Sequence, residues 1–316
     1  MKLLFVRFSA LGDIVLTTGV IRKFKELFPD AQADVLTYCR FREVFDGLDF
    51  INKVYCYDKS NGLKSYFGLI QNELDEYDHI IDLHSKPLSM LLRFTSPAQY
   101  HRYLKDSSAR RKYVKSRKEN PRLGMHVTLK YFEPLAKAFG VDMPEPEELR
   151  PVLFSGKTPE KRHILIHPFA SKATKTYPYI KELAELLKQR GYTPVFAGDG
   201  HVPEVDGAID KTGKTSIREL FDTTASCEAV ITTDSGPMHI AVALNRPTVA
   251  IFGSTTRHFG FFPEFSGVKV IENNDIKCRP CHIHGLDSCP EGHFKCMRDL
   301  PPEMIISALG EIAPSD

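Results

Sequence analysis

Residues 5–19 read FVRFSALGDIVLTTG. An apolar run, Leu3 to Val6, gives way through Ser9-Ala10-Leu11-Gly12-Asp13 to a segment where Ile14, Val15, Leu16, Val20 and Ile21 recur at helical spacing. The first part predicts a strand and the last a helix. A tight turn with a glycine and one carboxylate at the carboxyl end of a first strand is where open α/β sheets place ligands. Asp13 therefore has two readings: a cap of the helix behind it, or a group that faces a substrate.

The same alternation runs through all 316 residues. Strands are predicted at 2–8, 33–39, 52–57, 79–84 and 98–104, then at 163–168, 193–199, 229–234, 248–253 and 268–273. Helices are predicted near 14–27, 63–75, 124–139, 179–190, 216–226, 237–244 and 302–312. This is an α/β pattern of parallel sheets with helices on both faces. Residues 140–160 break it with four prolines and no periodicity, as a linker does. The expected organisation is two Rossmann-like domains, 1–150 and 151–316, facing each other across a cleft, with the last helix able to pack back on the first domain.

Bulk composition narrows the partners. Hydrophobic residues at 42% and charged residues at 26% fit a soluble globular chain. A net charge of +2 gives no global drive toward nucleic acid. Arg7 and Asp13 interrupt the N-terminal apolar run, so it does not read as a signal peptide. No apolar run is long enough to span a membrane. Cys39, Cys56 and Cys227 are scattered, as in a reducing compartment. A cytoplasmic enzyme, in peripheral contact with the inner membrane face at most, is the expectation.

Two more turns carry chemistry. Residues 229–233 predict a strand, Asp234-Ser235-Gly236 a turn, and Pro237 opens a helix. Unpaired N–H groups at a helix start, with the helix dipole, favour a phosphate. Ser235 and His239 could add donors, and Asp234 could accept from sugar hydroxyls; the plainer alternative is that Asp234 and Ser235 only cap the helix. The third turn, Phe169-Ala170-Ser171-Lys172-Ala173-Thr174-Lys175, follows the strand ending at His167 and is polar and basic. A lysine there would sit beside the phosphate seat, or be an ordinary solvated lysine.

RFSALGDIVLTT, HPFASKATKTYP and TTDSGPMHIAVALNRPTVAIFGST, in this order, resemble the glycosyltransferase family that includes the ADP-heptose:lipopolysaccharide heptosyltransferases, as does the tail CRPC…CPEGHFKCM. The resemblance implies a GT-B fold and inverting, metal-independent transfer from a nucleotide-diphosphate sugar. It implies Asp13 as general base and Gly12, Ser171, Thr174, Lys175, Asp234, Ser235, Gly236, Pro237, Met238 and His239 as the donor side. Lys175 would contact the donor phosphate and Asp234 the sugar hydroxyls. Tyr177 stands where the family usually has Trp, and Gly19 where proline is frequent.

One carboxylate suffices for an inverting displacement, because the leaving diphosphate needs charge relief rather than a proton. A free Asp, with a pKa of about 3.9, is a weak base that burial would strengthen. Residues 101–122 hold nine Lys or Arg against Asp106 and Glu119. A solvated face is the plain reading. An anionic glycolipid acceptor gives the run a use, with Lys86, Arg110, Arg111 and Lys112 as candidate contacts.

Cys278, Cys281, Cys289 and Cys296 would suit structural zinc. A reduced, packed loop beside the donor site is preferred, so no metal or cofactor is assigned. Transfer of another sugar, or to another surface glycan, stays open. A dinucleotide oxidoreductase is disfavoured because SALGD lacks the three-glycine spacing. A zinc or nucleic-acid module leaves the turns around Asp13 and Asp234 unexplained.

Overall fold

The computed structural model describes residues 1–313. They form two compact units, residues 1–105 with 127–154, and 106–126 with 155 onward.

The first unit is built on five parallel strands: β1 (Lys2–Val6), β2 (Gln32–Tyr38), β3 (Lys53–Tyr57), β4 (His79–Asp82) and β5 (Gln99–Arg102). Their order is β3-β2-β1-β4-β5. Leu3, Leu4, Phe5 and Val6 are all buried, as a central parallel strand covered on both faces requires. The chain leaves β1 toward β2 on one side and returns to β4 on the other. The switch point therefore lies between the carboxyl ends of β1 and β4, beside Arg7, Asp13 and His84.

Helix Leu11–Leu27 starts three residues earlier than its apolar spacing alone indicates, because the turn after β1 is short. A Cβ on its Gly19 would lie 2.3 Å from the Leu149 carbonyl oxygen and 2.5 Å from that of Arg150. Glycine is thus demanded by the close approach of the returning chain, which Thr18 also holds by accepting the Val152 N–H at 2.8 Å. Cys39 and Cys56, read in the sequence as separate reduced thiols, are joined in a disulfide. The physical reason is register: Thr37 pairs with Cys56 across β2 and β3, which brings Cys39 within a Cα separation of 4.6 Å.

The second unit has six parallel strands: β6 (Glu160–His167), β7 (Thr193–Phe196), β8 (Ile209–Asp210), β9 (Cys227–Thr233), β10 (Thr248–Phe252) and β11 (Val268–Glu272). The order β11-β10-β9-β6-β7-β8 is again doubly wound, with its switch point between β6 and β9. The short edge strand β8 carries too little apolar pattern to be read from sequence. Helix Pro302–Ile312 places Ile305, Ile306 and Leu309 in the core of this unit with Ile164, Ile231 and Ile251.

Residues 106–126 differ most from the sequence reading. They include a helix, Ser107–Ser116, and pack with the second unit although they precede the linker. Tyr113, Leu123 and Phe259 form a small core there. Tyr113 stacks on His258 with ring centroids 4.3 Å apart, and His126 meets Phe265 edge-on at 5.2 Å. A run that reads as a charged face thus hides a narrow apolar stripe of Ala109, Tyr113 and Val114.

Candidate active site

Asp13 lies at the third position of helix Leu11–Leu27, where Ala10, not Asp13, is the N-cap. Its Oδ2 accepts the Ala10 N–H at 3.3 Å and lies 2.6 Å from Arg7 Nη2. Its Oδ1 accepts from the Tyr131 hydroxyl at 2.5 Å. Arg7 is itself buried, donates to the Ser9 and Leu83 carbonyls, and stacks over the Tyr131 ring at 5.2 Å. Burial pushes the Tyr131 hydroxyl well above the ordinary tyrosine range, Arg7 opposing and Asp13 adding to the shift. Tyr131 therefore stays a donor. The result is an oriented, ion-paired carboxylate with 18% of its side chain exposed, joining the capping contact to an open edge. Burial alone was the sequence expectation; the arginine is the addition, and it answers the desolvation of the carboxylate.

More cations converge on this edge. Lys105 is held down to about 8, by burial first and then by Arg7 and Lys86. Lys86 is exposed at the start of a short helical turn. Asp82, by contrast, is fully consumed: it accepts from the His84 and Ser85 amides at 2.8 Å, from Ser89 at 2.8 Å and from the Tyr100 hydroxyl. Gly12 sits buried in the helix of this unit, while the other donor-side candidates all lie in the second.

In the second unit the structure brings Lys175 and Asp234 together. Their side chains are 12% and 13% exposed and form an ion pair at 2.9 Å, which Thr255 completes by donating to Asp234 at 2.6 Å. Thr174 is buried and structural: it shares a hydrogen bond with Ser254 at 3.0 Å and accepts the Leu286 N–H at 2.8 Å. Ser171 is exposed.

Ser235 is the N-cap of helix Gly236–Ala243, with no side-chain cap bond. This helix start offers fewer amides than expected. Pro237 has none, and the Met238 N–H already donates to the Ser235 carbonyl at 3.2 Å. The Met238 side chain is core, packed with Ala250 and Phe252, and His239 is buried beside Phe261. Arg110 is buried in this unit, so it does not belong with the first unit's candidates; Arg111 and Lys112 are exposed on the same helix.

Sequence reasoning missed Arg7, Tyr131, Thr255 and Phe261. Arg7 carried a signal, a charge breaking an otherwise apolar strand end.

Among the described residues no group of three or more His, Cys, Asp or Glu side chains is placed to hold a metal ion. Cys278 Sγ lies 3.8 Å from His293 Nε2, and Cys281 donates to the Cys278 carbonyl at 3.4 Å. Burial, with the neighbouring thiols adding, pushes Cys281 up to about 12; burial pushes Cys296 up to about 11. The loop packs on the basic turn through Leu286 with Thr174 and through Asp287 with Lys172 at 3.0 Å.

Two buried histidines at the switch points set an acid limit. Burial holds His84 down to about 3, with Arg7 and Lys86 adding, and holds His167 down to about 4. Both lie below the ordinary value of 6.5, so the unfolded chain takes up these protons first as pH falls. Their contribution is fully present above that value and is lost progressively on acidification. Urea unfolding is expected to show a loss on the order of 2 kcal/mol per histidine between pH 7 and pH 5. A His167→Gln variant with the wild-type pH slope would remove His167 from this account.

Residues 70–285 match the model of the family described as glycosyltransferase family 9 (heptosyltransferase). The chain belongs to this family. It is 28% identical to lipopolysaccharide heptosyltransferase 1 of Campylobacter coli, over 92% of this chain and 94% of that protein. It is 26% identical to lipooligosaccharide heptosyltransferase 2 of Haemophilus influenzae, over 99% of each. The solved structure of Escherichia coli ADP-heptose lps heptosyltransferase II superposes with a TM-score of 0.72 at 20% identity, covering 99% of this chain and 98% of that one. That likeness concerns the fold: this family-9 glycosyltransferase has the two parallel sheets of GT-B-like heptosyltransferase structures. No helix among its described residues is long and apolar enough to cross a membrane.

Proposed function

We propose that this glycosyltransferase moves a heptose from ADP-heptose to an inner-core hydroxyl of a Kdo-lipid A type acceptor, with inversion at the anomeric carbon and without a required metal. The observation that carries the reading is Asp13: an oriented carboxylate at a sheet switch point, ion-paired to a buried arginine.

In the step itself the acceptor oxygen bonds to the anomeric carbon as the bond to the diphosphate oxygen breaks. The hydroxyl proton passes to Asp13, and ADP leaves with the electron pair. Lys175 supports the charge growing on the diphosphate, and Asp234 accepts from the sugar hydroxyls. The first unit is assigned the acceptor, where Lys86 and Lys105 suit its phosphate or carboxylate groups. Contact with the anionic inner membrane leaflet would follow from the acceptor being a lipid.

The test is transfer from ADP-heptose, set against other nucleotide sugars, to Kdo-lipid A in EDTA. Transfer confined to ADP-heptose and undiminished by EDTA is expected. Product of retained anomeric configuration, or activity abolished by EDTA and restored by a divalent ion, would overturn the mechanism.

A further inference from the structure

We infer that helices Gly62–Glu73 and Leu92–Thr95 of the first unit form a docking surface for an anionic lipid bilayer, a role that deepens the lipid-acceptor reading above and rests on it. Both helices cover one face of the five-stranded sheet. Tyr66 and Ile70 of the longer helix and Leu92 of the shorter share a buried core with Leu4, Val6, Leu36 and Ile80. Side chains alternate along a strand, so Phe5 turns the other way, to Phe24 of helix Leu11–Leu27, with ring centroids 5.6 Å apart. The two covering helices pack on each other. The Tyr66 hydroxyl also donates to the Leu88 carbonyl, just ahead of the shorter helix, at 3.1 Å. Side chains that point away from this pair therefore emerge on one side of the unit.

Large apolar groups stand there. Phe94 is 79% exposed, Leu63 56% and Phe67 37%. Leu63 and Phe67 are one helical turn apart on the same stripe. A single exposed apolar side chain is ordinary, whereas several on adjoining helices mark a surface that something covers. Charge selects the cover. Lys59 and Lys64 flank Leu63, and Lys86 and Arg93 precede Phe94. All four are exposed, and among the described residues none enters an ion pair. Arg93 instead lies over the Phe94 ring, its Cζ 5.9 Å from the centroid. Residues 59–72 and 83–105 contain no Asp or Glu. A second copy of this surface would set the cations against one another. An anionic bilayer answers them with headgroup phosphates and takes up the rings below. Lys59 and Lys86 follow the carboxyl ends of β3 and β4, the sheet edge where Asp13 follows β1. A bilayer seated here would present a lipid acceptor on the side of the base.

The test is sedimentation with vesicles that lack acceptor, made of phosphatidylcholine alone or mixed with phosphatidylglycerol. Wild type is expected to bind the anionic vesicles, not the neutral ones, and to be released by salt. The double variant Phe67→Ser, Phe94→Ser should weaken binding about 10- to 100-fold. Lys64→Gln, Arg93→Gln should weaken it about 10-fold. Met304→Ser, at an apolar side chain 43% exposed in the second unit, should bind as wild type does. All three should keep the wild-type melting temperature. If the serine pair does not fold, the Lys64 and Arg93 pair decides alone. No binding by wild type, or variants that bind equally well, overturns the surface. So does light scattering that shows dimers lost in the serine variant, which would make this face a self-association site. Binding that follows these variants, from a wild type that transfers nothing from ADP-heptose, overturns the proposed reaction and leaves the surface standing. Transfer to a delipidated acceptor by a protein that binds no vesicles does the reverse.

Discussion

Asp13→Asn is expected to lower kcat by about 10²- to 10⁴-fold, the range for loss of a general base. The substitution keeps size and shape, and Asn Oδ1 still accepts from Tyr131 as Asp13 does at 2.5 Å. It removes the negative charge that Arg7 contacts at 2.6 Å, and with it the ability to take a proton. Arg7 keeps the Ser9 and Leu83 carbonyls, so the variant should fold, at a lower melting temperature. Single-turnover transfer, with ADP binding measured alongside, separates the roles. A rate near wild type with reduced stability would mean that Asp13 only fastens the start of helix Leu11–Leu27. ADP affinity should be unchanged, because no donor contact is assigned to Asp13.

Lys175→Met should cut kcat/KM by about 10²- to 10³-fold, as when one donor to a developing anion is lost. Stability should fall as well, because Asp234 is 13% exposed and would lose the cation that pairs it, keeping the Thr255 hydroxyl. The double variant Lys175→Met, Asp234→Asn separates the effects: restored stability with no restored transfer is expected. Recovery of both would show the pair to be structural and would move charge relief elsewhere.

Both residues were visible in the sequence because each stands where polar residues interrupt an apolar strand-helix pattern. Alternation also disclosed the two parallel sheets. What it could not disclose was pairing across distance. Tyr131 is 118 positions from Asp13, and Thr255 is 21 from Asp234. Neither stands in a motif, and Arg7 registered only as a charge in the wrong place. Helix Ser107–Ser116 stayed hidden for a different reason: its buried face includes an arginine, so its apolar spacing is incomplete. The Met238 side chain fills the core between the helix and β10, a direction its place in a motif did not disclose. Motif position fixes the backbone; it does not say which way a side chain turns.

The excursion of residues 106–126 has a consequence for recombining this enzyme with its relatives. A chimera joined inside the proline-rich segment would look like a clean exchange of halves. Yet it would set Tyr113 of one parent against the other parent's counterpart of His258, a stacked pair encoded 145 positions apart. Stability in such hybrids should therefore travel with two stretches of gene rather than one. A graft meant to carry the second unit intact would need residues 106–126 along with everything from 155 onward.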